Sequence, residues 1–433
     1  MMDKLKTNRE IAFSSPEEIK AFQSVQLQNH LRYCQANSPY YKKLFAELGI
    51  AINSISLETI SSLPLTSKSN IENHNDNFFA VPKEKIVDIV LSSGTTGMPT
   101  RIMYTASDLE RLAYNEEVSL SSCGITESDT ALLTCTLDRC FIAGLAYFSG
   151  LKQIGVAVIR NGQNTLESHT EIICRLNPTV IVGVPSFLKK LGGFIIDSGE
   201  KDALAKVRKL VCIGEPLRDS ELNPSKLALD LNAIWSAQLF STYASSETIS
   251  SFCECSEGKG GHLLPDLAVV EIVDKNDKVL SAGEIGEVVI TPMGITGMPL
   301  IRFKTGDISF MIDTPCKCGR NSVRLGPILG RKAQMLKIRG TTLYPQAIFS
   351  TLEEIEEVDE FYILASAENE LSDIISIHVA TNNNTVTADI LESRLQARLR
   401  VKPQVIIEPI GSIRQKVFNP NSRKPIRFFD NRN

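Results

Sequence analysis

Hydrophobic residues in the first part of the chain recur at the three- and four-residue spacing of an amphipathic helix. This spacing runs through IKAFQSVQLQNHLRYCQANSPYYKKLFAELG and is interrupted at Asn37-Ser38-Pro39. Proline lacks the N–H that a helix needs, and the residue before it avoids the helical conformation. The pattern therefore predicts a helical lead-in, broken near Pro39, that ends at about Gly49.

From Ile86 the pattern changes to short apolar runs that alternate with helical segments. The runs are IVDIVLSS, TALLTC, GVAVIR, PTVIVGV and KLVCIG, and glycine, serine or proline accompanies each of them. Continuous apolar runs are typical of parallel strands that are covered on both faces. Between Leu263 and Ile312 the runs become shorter and alternate with turns, which predicts an antiparallel subdomain. We therefore predict the α/β class, with mixed but mostly parallel sheets.

The last hundred residues have a different order of predicted strands and helices. Strand-like MLKIRG, helical AIFSTLEEIEEV, strand-like FYILAS and IISIHVA, and helical ILESRLQARLR follow Arg331. A segment of this length is within the usual range of a small domain. We expect a large N-terminal domain of several subdomains over residues 1–331 and a small α+β C-terminal domain over residues 332–433.

Composition excludes several classes of protein. Hydrophobic residues make up 43% and charged residues 22% of the 433 residues, which is the balance of an ordinary globular chain. The net charge of -4 provides no general basic field for nucleic acid or an anionic membrane. No run approaches the roughly 20 apolar residues of a membrane span, and the N-terminus lacks the apolar core of a signal peptide. We expect a cytoplasmic protein without nucleic-acid or membrane partners.

The segment LSSGTTGMPTRIMYT, Leu91 to Thr105, carries the strongest chemical signal. Glycines let the backbone approach a polyphosphate, while hydroxyls and successive N–H groups supply anion ligands. It is not a Walker A loop, because no lysine follows Gly97. A simple Gly/Ser turn is the alternative. The string SSGTTGMPT resembles the phosphate-binding loop of the acyl-adenylate-forming superfamily.

That resemblance implies further segments in a fixed order, and the sequence contains them. VCIGEPLR resembles the strand and turn that stack on adenine, and TYASSE resembles the segment in which a tyrosine packs on adenine and a glutamate helps to bind Mg²⁺. In TYASSE, Ala244 replaces the usual glycine. KTGDI supplies Asp307 for the ribose hydroxyls, and GRKAQMLKIRG supplies Arg331 at the domain junction. Taken alone, these segments would be ordinary strands and turns.

The ending NPNSRKPIRFFD resembles the last adenylation motif and places Lys424 where a mobile lysine reaches the carboxylate and the α-phosphate. Arg423 replaces the usual preceding glycine, and a basic, solvated tail is the alternative. The resemblance implies Lys424, Glu247 and Thr96 as catalytic residues, with Glu247 as the magnesium ligand. The implied ATP- and AMP-binding residues are Ser92, Ser93, Gly94, Thr95, Thr96, Gly97, Thr100, Gly214, Glu215, Pro216, Thr242, Tyr243, Ala244, Ser245, Ser246, Glu247, Asp307, Arg331 and Lys424.

Within the superfamily, the chain is most similar to the phenylacetate-CoA ligase branch. SPYYKKLF, GEPLR, CSEGKGGH, LIRFKTGDI, PCKCGR and RKPIRFFD carry this similarity. It implies ATP, Mg²⁺, CoA and an aromatic carboxylic acid as ligands, and a homodimer. The acyl pocket is then expected at Phe141, Ala143 and Gly144 in DRCFIAGLAYFSG, with Ile213 and Gly214. The alternative is that Phe141 and Tyr147 are core residues.

Four of the ten cysteines occur as two close pairs. Cys316 and Cys318, with Cys255 and His262, provide three thiolates and one imidazole, a set able to hold a structural Zn²⁺. Cys253 competes with Cys255 for its place, and four reduced, unligated cysteines are the alternative. The six isolated cysteines are expected as small buried side chains, namely Cys34, Cys123, Cys135, Cys140, Cys174 and Cys212.

The resemblance implies two half-reactions, adenylation of the acid and then transfer of the acyl group to CoA. Ala333 stands at the expected hinge of the small mobile domain, where an acidic residue or lysine is usual. Transfer to a carrier-protein phosphopantetheine or another nucleophile is therefore a second hypothesis. A catalytically degenerate nucleotide-binding protein is a third, against which the presence of Glu247, Asp307, Arg331 and Lys424 argues.

Overall fold

A computed structural model describes residues 7–92, 100–338, 341–369, 372–383, 385–418 and 425–432. The chain divides into two compact units. The first unit extends to Thr305 and includes Ser309–Ile328, and the second comprises Gly306–Ile308 and the chain from Leu329. Within the described residues, no helix has the length and apolar character needed to cross a membrane.

The helices of the first unit begin and end at recognisable sequence signals. The Ser15 side chain and Glu18 form a capping box before the first helix, and Gly49 ends the second with a φ of 63°. The helical lead-in and its break at Pro39 are therefore confirmed. The helices are α1 Pro16–Asn37, α2 Pro39–Leu48, α3 Lys68–His74, α4 Ala106–Ser122, α5 Ala143–Ile154, α6 Leu166–Leu176, α7 Pro185–Asp197 and α8 Lys226–Trp235.

The strands of the first unit coincide closely with the apolar runs of the sequence. They are β1 Ile86–Ser92, β2 Thr100–Thr105, β3 Thr130–Leu133, β4 Ala157–Arg160, β5 Val180–Gly183, β6 Lys209–Ile213, β7 Gln238–Ser245, β8 Ser250–Cys253, β9 Gly261–His262, β10 Ala268–Val273, β11 Gly286–Pro292, β12 Phe303–Ser309, β13 Met311–Ile312 and β14 Arg324–Leu325. Strand β12 also contains Gly306–Ile308, which belong to the second unit.

A six-stranded sheet with the order β4-β3-β5-β6-β7-β8 forms the centre of this unit. Its strands are parallel except for β8, which runs antiparallel to β7. Successive side chains point to opposite faces, so Val182 packs in the cluster that contains Tyr147, whereas Ile181 packs in the cluster that contains Trp235. Helices cover both faces, and the predicted α/β class is confirmed.

Strand β1 is the exception to the predicted parallel sheet. It pairs antiparallel with β2, from Ile86 opposite Thr105 to Ser92 opposite Thr100. A parallel connection needs a crossover of about a dozen residues or more, and too few residues separate Ser92 from Thr100. The two apolar runs therefore form an antiparallel pair.

The antiparallel subdomain is present. Strands β10 and β11 pair from Ala268 opposite Pro292 to Val273 opposite Glu287, and β12 lies beside β11. Strand β14 pairs with both β13 and β9, so that Arg324 lies opposite His262. These short strands join the segments that contain the paired cysteines.

The second unit has an α+β architecture. Its strands are β15 Gly330–Arg331, β16 Leu336–Ile338, β17 Thr341–Leu343, β18 Val358–Asn369, β19 Ser372–Thr381, β20 Gln404–Ile407 and β21 Phe428–Asn431, and its helices are α9 Pro345–Glu353, α10 Ala388–Leu399 and α11 Ile410–Val417. The sheet order is β20-β19-β18-β21. Helix α9 ends at Glu353, earlier than the helical pattern AIFSTLEEIEEV predicts, and Glu354 is its C-cap.

The expectation for the isolated cysteines is correct for four of the six. Cys34, Cys123, Cys135 and Cys212 are buried. Cys174 is half-buried, and the prediction for Cys140 is wrong, because its side chain is exposed. Arg139 and Cys140 both have positive φ, with values of 59° and 52°, so this loop turns the thiol outward instead of continuing an apolar element.

Candidate active site

The loop after β6 is held against the start of α7. Both oxygens of the Glu215 carboxylate accept hydrogen bonds from Ser186, one from its backbone N–H at 2.9 Å and one from its hydroxyl at 2.8 Å. Ser186 is in the first turn of α7, where N–H groups lack helical partners and anions are favoured. Gly214 has a φ of 76°, which glycine adopts without strain. Gly214, Glu215 and Pro216 therefore form a fixed turn at the carboxyl end of β6.

The segment Thr242–Glu247 lies at the same end of the neighbouring strand. Thr242 is buried, and among the described residues its Oγ1 has no hydrogen-bond partner. Tyr243 is half-buried, with its ring centroid 6.3 Å from that of Phe252, and Ala244 is exposed. An unpaired buried hydroxyl is unusual in a native structure and is consistent with a position that hydrogen-bonds a ligand.

The turn after β7 is fixed by two hydroxyl groups. The Ser245 hydroxyl donates to Glu247 Oε2 at 3.0 Å, and the Tyr104 hydroxyl donates to the Ser246 carbonyl at 2.8 Å. Burial raises the pKa of Tyr104 well above its ordinary value, an effect that the nearby Glu247 charge reinforces. Tyr104 is therefore a neutral donor at any ordinary pH.

Glu247 faces a lysine that the sequence did not reveal. Lys68 Nζ lies 3.5 Å from Glu247 Oε1, and the two side chains are only 23% and 13% exposed. Lys68 begins α3, directly after the Ser67 N-cap. The local sequence SKSN indicates a helix start and nothing about a site, because the partner lies far away along the chain. The structure thus adds a cation at the expected magnesium-binding carboxylate.

The expected phosphate loop is described only at its two ends. Ser92 and Thr100 lie opposite each other in the β1–β2 ladder. Ser92 is buried, and no described residue pairs with its Oγ, while the Thr100 hydroxyl donates to Glu72 Oε1 at 3.3 Å. The predicted residues Ser93, Gly94, Thr95, Thr96 and Gly97 lie outside the described residues, as does Lys424. Their roles remain predictions.

The segment expected to line the acyl pocket is tied to the sheet. The Leu91 N–H donates to the Cys140 carbonyl at 2.9 Å, and the Gly144 N–H donates to the Thr136 carbonyl at 3.1 Å. A Cβ on Gly144 would lie 2.3 Å from that carbonyl oxygen, so only glycine fits there.

The structure distinguishes the aromatic residues of this segment. Tyr147 is a core residue, 3% exposed, and the buried Ile213 packs in the same cluster. Phe141 is only half-buried, and Ala143 begins α5. An acyl pocket at Phe141, Ala143, Gly144, Ile213 and Gly214 remains a prediction.

In the second unit, Asp307 and Arg331 lie opposite each other in paired strands. Arg331 Nε is 3.2 Å from Asp307 Oδ1, and the Asp307 carboxylate is the more buried of the two groups. Ala333 follows in a short 3₁₀ helix, Lys332–Gln334, and its carbonyl accepts a hydrogen bond from Arg432 at 3.3 Å. The two residues predicted to contact the ribose are therefore adjacent and oppositely charged.

The paired cysteines converge with His262 in the first unit. The sulfur atoms of Cys255, Cys316 and Cys318 and one ring nitrogen of His262 all lie within 4.8 Å of one another. Cys255 Sγ is 3.7 Å from Cys316 Sγ, and Cys318 Sγ is 3.4 Å from His262 Nε2. Bonds of about 2.3 Å from a tetrahedral zinc would place ligand atoms roughly 3.5–4 Å apart, so the four residues fit such an ion.

The electrostatics of this cluster also suit a metal. Burial lowers the pKa of His262 to about 3, with Arg320 and Arg324 reinforcing the effect, so the imidazole is neutral. Burial raises the pKa of Cys255 to about 12. Burial also disfavours ionisation of Cys318, but hydrogen bonds from Arg320 outweigh it and lower the pKa of that thiol. Metal binding would therefore displace the proton of the Cys255 thiol.

Cys253 does not join this group. Its Sγ lies 3.2 Å from Cys123 Sγ in the core between α4 and the sheet, and both thiols are 2% exposed. Cys253 belongs to β8, whereas Cys255 follows the end of that strand. The structure places Cys255, and not the alternative Cys253, beside His262.

Comparison with known proteins identifies relatives over most of the chain. Residues 44–297 match the family model described as AMP-binding enzyme. A phenylacetate-coenzyme A ligase of Thermus thermophilus is 30% identical over 352 residues, which cover 80% of this chain and 78% of that protein. A phenylacetate-coenzyme A ligase of Escherichia coli is 27% identical over 440 residues, 98% of this chain and 97% of that protein.

Solved structures confirm the fold. A 2-hydroxyisobutyryl-CoA ligase, crystallised in its postadenylation state with an acyl-AMP, matches with a TM-score of 0.84 and 19% sequence identity. The match covers 98% of this chain and 92% of that one.

Proposed function

The chain belongs to the AMP-binding enzyme family, and from this membership we propose that it activates an aromatic carboxylic acid, aryl or arylacetic, with ATP and then forms the CoA thioester. The relatives from Thermus thermophilus and Escherichia coli are phenylacetate-coenzyme A ligases, and each aligns with about four fifths of this chain or more. The chain is therefore an AMP-forming acid–CoA ligase, and the aromatic class of its acid is the further step of the proposal.

One observation carries the nucleotide assignment. The turn Gly214–Pro216 follows β6, and the segment Thr242–Glu247 includes the end of the neighbouring parallel strand β7, so both lie at the carboxyl edge of the sheet. Ligands of open α/β sheets bind outside the carboxyl ends of the strands. The Thr242 hydroxyl, with which no described residue pairs, and the Glu247 carboxylate lie at this edge, and both belong to the segment expected to bind adenine and magnesium.

In the first half-reaction, a carboxylate oxygen of the acid attacks the α-phosphorus of ATP and pyrophosphate leaves. Glu247 would hold Mg²⁺, which when bound offsets negative charge on the phosphates. Lys68 stabilises the Glu247 carboxylate electrostatically. No side-chain nucleophile is required, because positioning and charge neutralisation account for the rate increase.

In the second half-reaction, the CoA sulfur attacks the acyl carbon and AMP leaves. In the second unit, Asp307 would accept hydrogen bonds from the ribose hydroxyls, and Arg331 holds that carboxylate in place. We assign Lys424 to the adenylation step and the chain after Arg331 to the mobile lid.

The proposal is tested by acid-dependent pyrophosphate release with a panel of phenylacetate, benzoates and aliphatic acids. We expect release with at least one aromatic acid and stoichiometric loss of free CoA thiol. Pyrophosphate release without CoA consumption would favour transfer to a carrier-protein phosphopantetheine or another nucleophile. No release with any acid would favour a degenerate nucleotide-binding protein and contradict the proposal.

The role of Lys424 is tested separately with Lys424→Ala. This change should abolish adenylation while leaving thioester formation from supplied acyl-adenylate, since the ammonium neutralises charge only in the first step. Lys402→Ala is a matched control, because Lys402 is a second-unit lysine with a peripheral partner, Glu392. Retained adenylation in Lys424→Ala would contradict the assignment.

We also propose that Cys255, His262, Cys316 and Cys318 hold a structural zinc ion, since four ligands leave no open position for catalysis. Metal analysis of protein purified without chelator should return about one zinc per chain, and Cys316→Ser should lose it. Protein without zinc would contradict the metal site.

We also propose that the chain forms a homodimer, which light scattering would test.

A further inference from the structure

A buried ion pair joins the turn after β6 to the residue that follows β8. Arg218 Nε lies 2.6 Å from Glu254 Oε1, and Arg218 Nη2 lies 3.1 Å from Glu254 Oε2. The Arg218 side chain is 15% exposed and that of Glu254 is 3% exposed. Two parallel N–H···O bonds fix the relative orientation of the two groups as well as their distance. Arg218 ends the segment VCIGEPLR that supplies the turn Gly214–Pro216.

The same carboxylate also fixes β7. The Ser241 N–H donates to Glu254 Oε2 at 3.0 Å, and the Glu254 N–H donates to the Ser241 carbonyl at 3.0 Å. Ser241 directly precedes Thr242, the first residue of the second nucleotide-binding segment. Glu254 is therefore bonded to Arg218, at the end of VCIGEPLR, and to Ser241, directly before TYASSE, and these are the two segments expected to contact the adenine.

The loop from Cys255 to His262 covers this pair. Gly258 has a φ of 57°, and a Cβ at that position would lie 2.2 Å from Arg218 Nη2. Lys259 Nζ donates to the Leu222 carbonyl at 3.4 Å, beyond Arg218 along the chain. The backbone of the loop thus approaches the guanidinium closely, which keeps water from the pair and strengthens its charge-assisted bonds.

We propose that Arg218 and Glu254 are positioning residues that hold the turn Gly214–Pro216 and the segment Thr242–Glu247 in the spacing that ATP requires. Neither residue touches ATP in this proposal. The inference rests on the proposed function, because it takes these two segments as the nucleotide site. It goes further by assigning ATP affinity to the pairing of Arg218, at the end of VCIGEPLR, with Glu254, which lies in none of the superfamily segments. The loop from Cys255 to His262 covers this pair.

The test is ATP binding measured by calorimetry with magnesium and without acid, so that no turnover is needed. Arg218→Lys keeps the charge but loses the fork, and Arg218→Ala loses both, so each should weaken ATP binding roughly tenfold or more, a factor that corresponds to about 1.4 kcal/mol. Glu254→Gln should have the same direction of effect. In steady-state assays, KM for ATP should rise by the same factor, while kcat and KM for the acid change less than about threefold.

Arg208→Ala is the matched control. Arg208 Nη2 lies 2.9 Å from the buried Asp129 Oδ1, so this variant also removes an arginine from a buried carboxylate, but before the start of β6 and not after its end. It should leave ATP binding unchanged. Gly258→Ala, whose added Cβ would displace the Arg218 guanidinium from the covering side, should weaken ATP binding in the same way as Arg218→Lys.

Unchanged ATP affinity in Arg218→Lys and Glu254→Gln would overturn the proposal, as would an equal loss in Arg208→Ala. If Arg218→Ala does not fold, the ATP affinities of Arg218→Lys and Glu254→Gln test the proposal. Because calorimetry needs no product, failure of the ligase activity and failure of this inference give different results. A wild-type protein that binds ATP but makes no pyrophosphate contradicts the proposed function alone.

Discussion

At the scale of single residues, Glu247 combines the features of a metal-binding carboxylate. It is largely buried, accepts a hydrogen bond from the Ser245 hydroxyl, and faces Lys68 at 3.5 Å. A buried carboxylate needs a compensating charge, and the Lys68 ammonium supplies it. A bound divalent cation would supply the same compensation more strongly.

We therefore expect Glu247→Gln to raise the magnesium concentration for half-maximal pyrophosphate release at least about tenfold, because the neutral amide attracts the cation less strongly. Titration of magnesium at saturating ATP and acid measures this effect. Asp230→Asn is a matched control, since Asp230 also pairs with lysines, Lys189 and Lys226, but lies in α8, outside the segments assigned to the nucleotide. An unchanged magnesium requirement in Glu247→Gln would remove Glu247 from the metal site.

A second residue, Glu116, links stability to pH. It lies in α4 at 2% exposure, and among the described residues its Oε2 has no partner. Burial raises its pKa from 4.5 to about 7, against the opposing effect of a hydrogen bond with Ser251. Between these two values the folded chain holds a proton that the unfolded chain has lost, so this group's contribution to stability falls as pH rises.

The expected loss from Glu116 is about 3 kcal/mol between pH 4.5 and pH 7, with little further change outside that window. Glu116→Gln removes the titration. The stability of the variant relative to wild type should therefore be greater at pH 8 than at pH 5. Thermal denaturation of both proteins at the two pH values measures this difference. A difference in melting temperature that is the same at both pH values would contradict the raised pKa of Glu116.

At the scale of elements, α4 and α5 pack closely because α5 presents a glycine. A Cβ on Gly150 would lie 2.3 Å from the Glu116 Cβ and 2.7 Å from the Glu116 backbone carbon. Backbone atoms cannot move aside as a flexible side chain does. The glycine in AYFSG therefore sets the distance between the two helices that cover one face of the sheet.

We expect Gly150→Ala to destabilise the protein by about 1–3 kcal/mol, since the added methyl group overpacks the helix contact. Gly193→Ala is the matched control, because Gly193 is inside α7 and a Cβ there meets no atom within 4 Å. Alanine has a higher helix propensity than glycine, so this control should be neutral or should stabilise the protein by up to about 1 kcal/mol. Thermal melting of both variants checks the contrast, and equal melting temperatures would contradict the close packing.

Element-scale patterns in the sequence predict most strands, because the apolar runs are continuous and end at turn residues. β5 and β6 lie where PTVIVGV and KLVCIG indicate. The prediction that β1 joins the parallel sheet is wrong, because apolar content does not specify which strand is the partner. The predicted helix at α9 is too long, because apolar spacing continues through Ile355 although the helix itself ends at Glu353.

At the scale of the whole molecule, the sequence indicates those candidate site residues that lie together in one short segment. It does not indicate residues whose partners lie far away along the chain. The segment TYASSE and the turn GEP are contiguous, so their motifs identify them. Lys68 and Glu254 lie in no such motif, and although Arg218 ends VCIGEPLR, the segment does not indicate its partner Glu254, because the fold brings these residues together from distant parts of the chain. Distance along the chain also leaves the choice between Cys253 and Cys255 open, and the fold decides it by placing Cys255 beside His262.

In the proposed reaction, the acid attacks the α-phosphorus of ATP and a thiol then attacks the acyl carbon. An acid labelled with oxygen-18 in both carboxylate oxygens tests this directly, because the oxygen that forms the bond to phosphorus stays with AMP when the thioester forms. Mass spectrometry of the products should find one labelled oxygen in AMP, one in the thioester and none in pyrophosphate. Unlabelled AMP, or label in inorganic phosphate with ADP as the nucleotide product, would contradict the account.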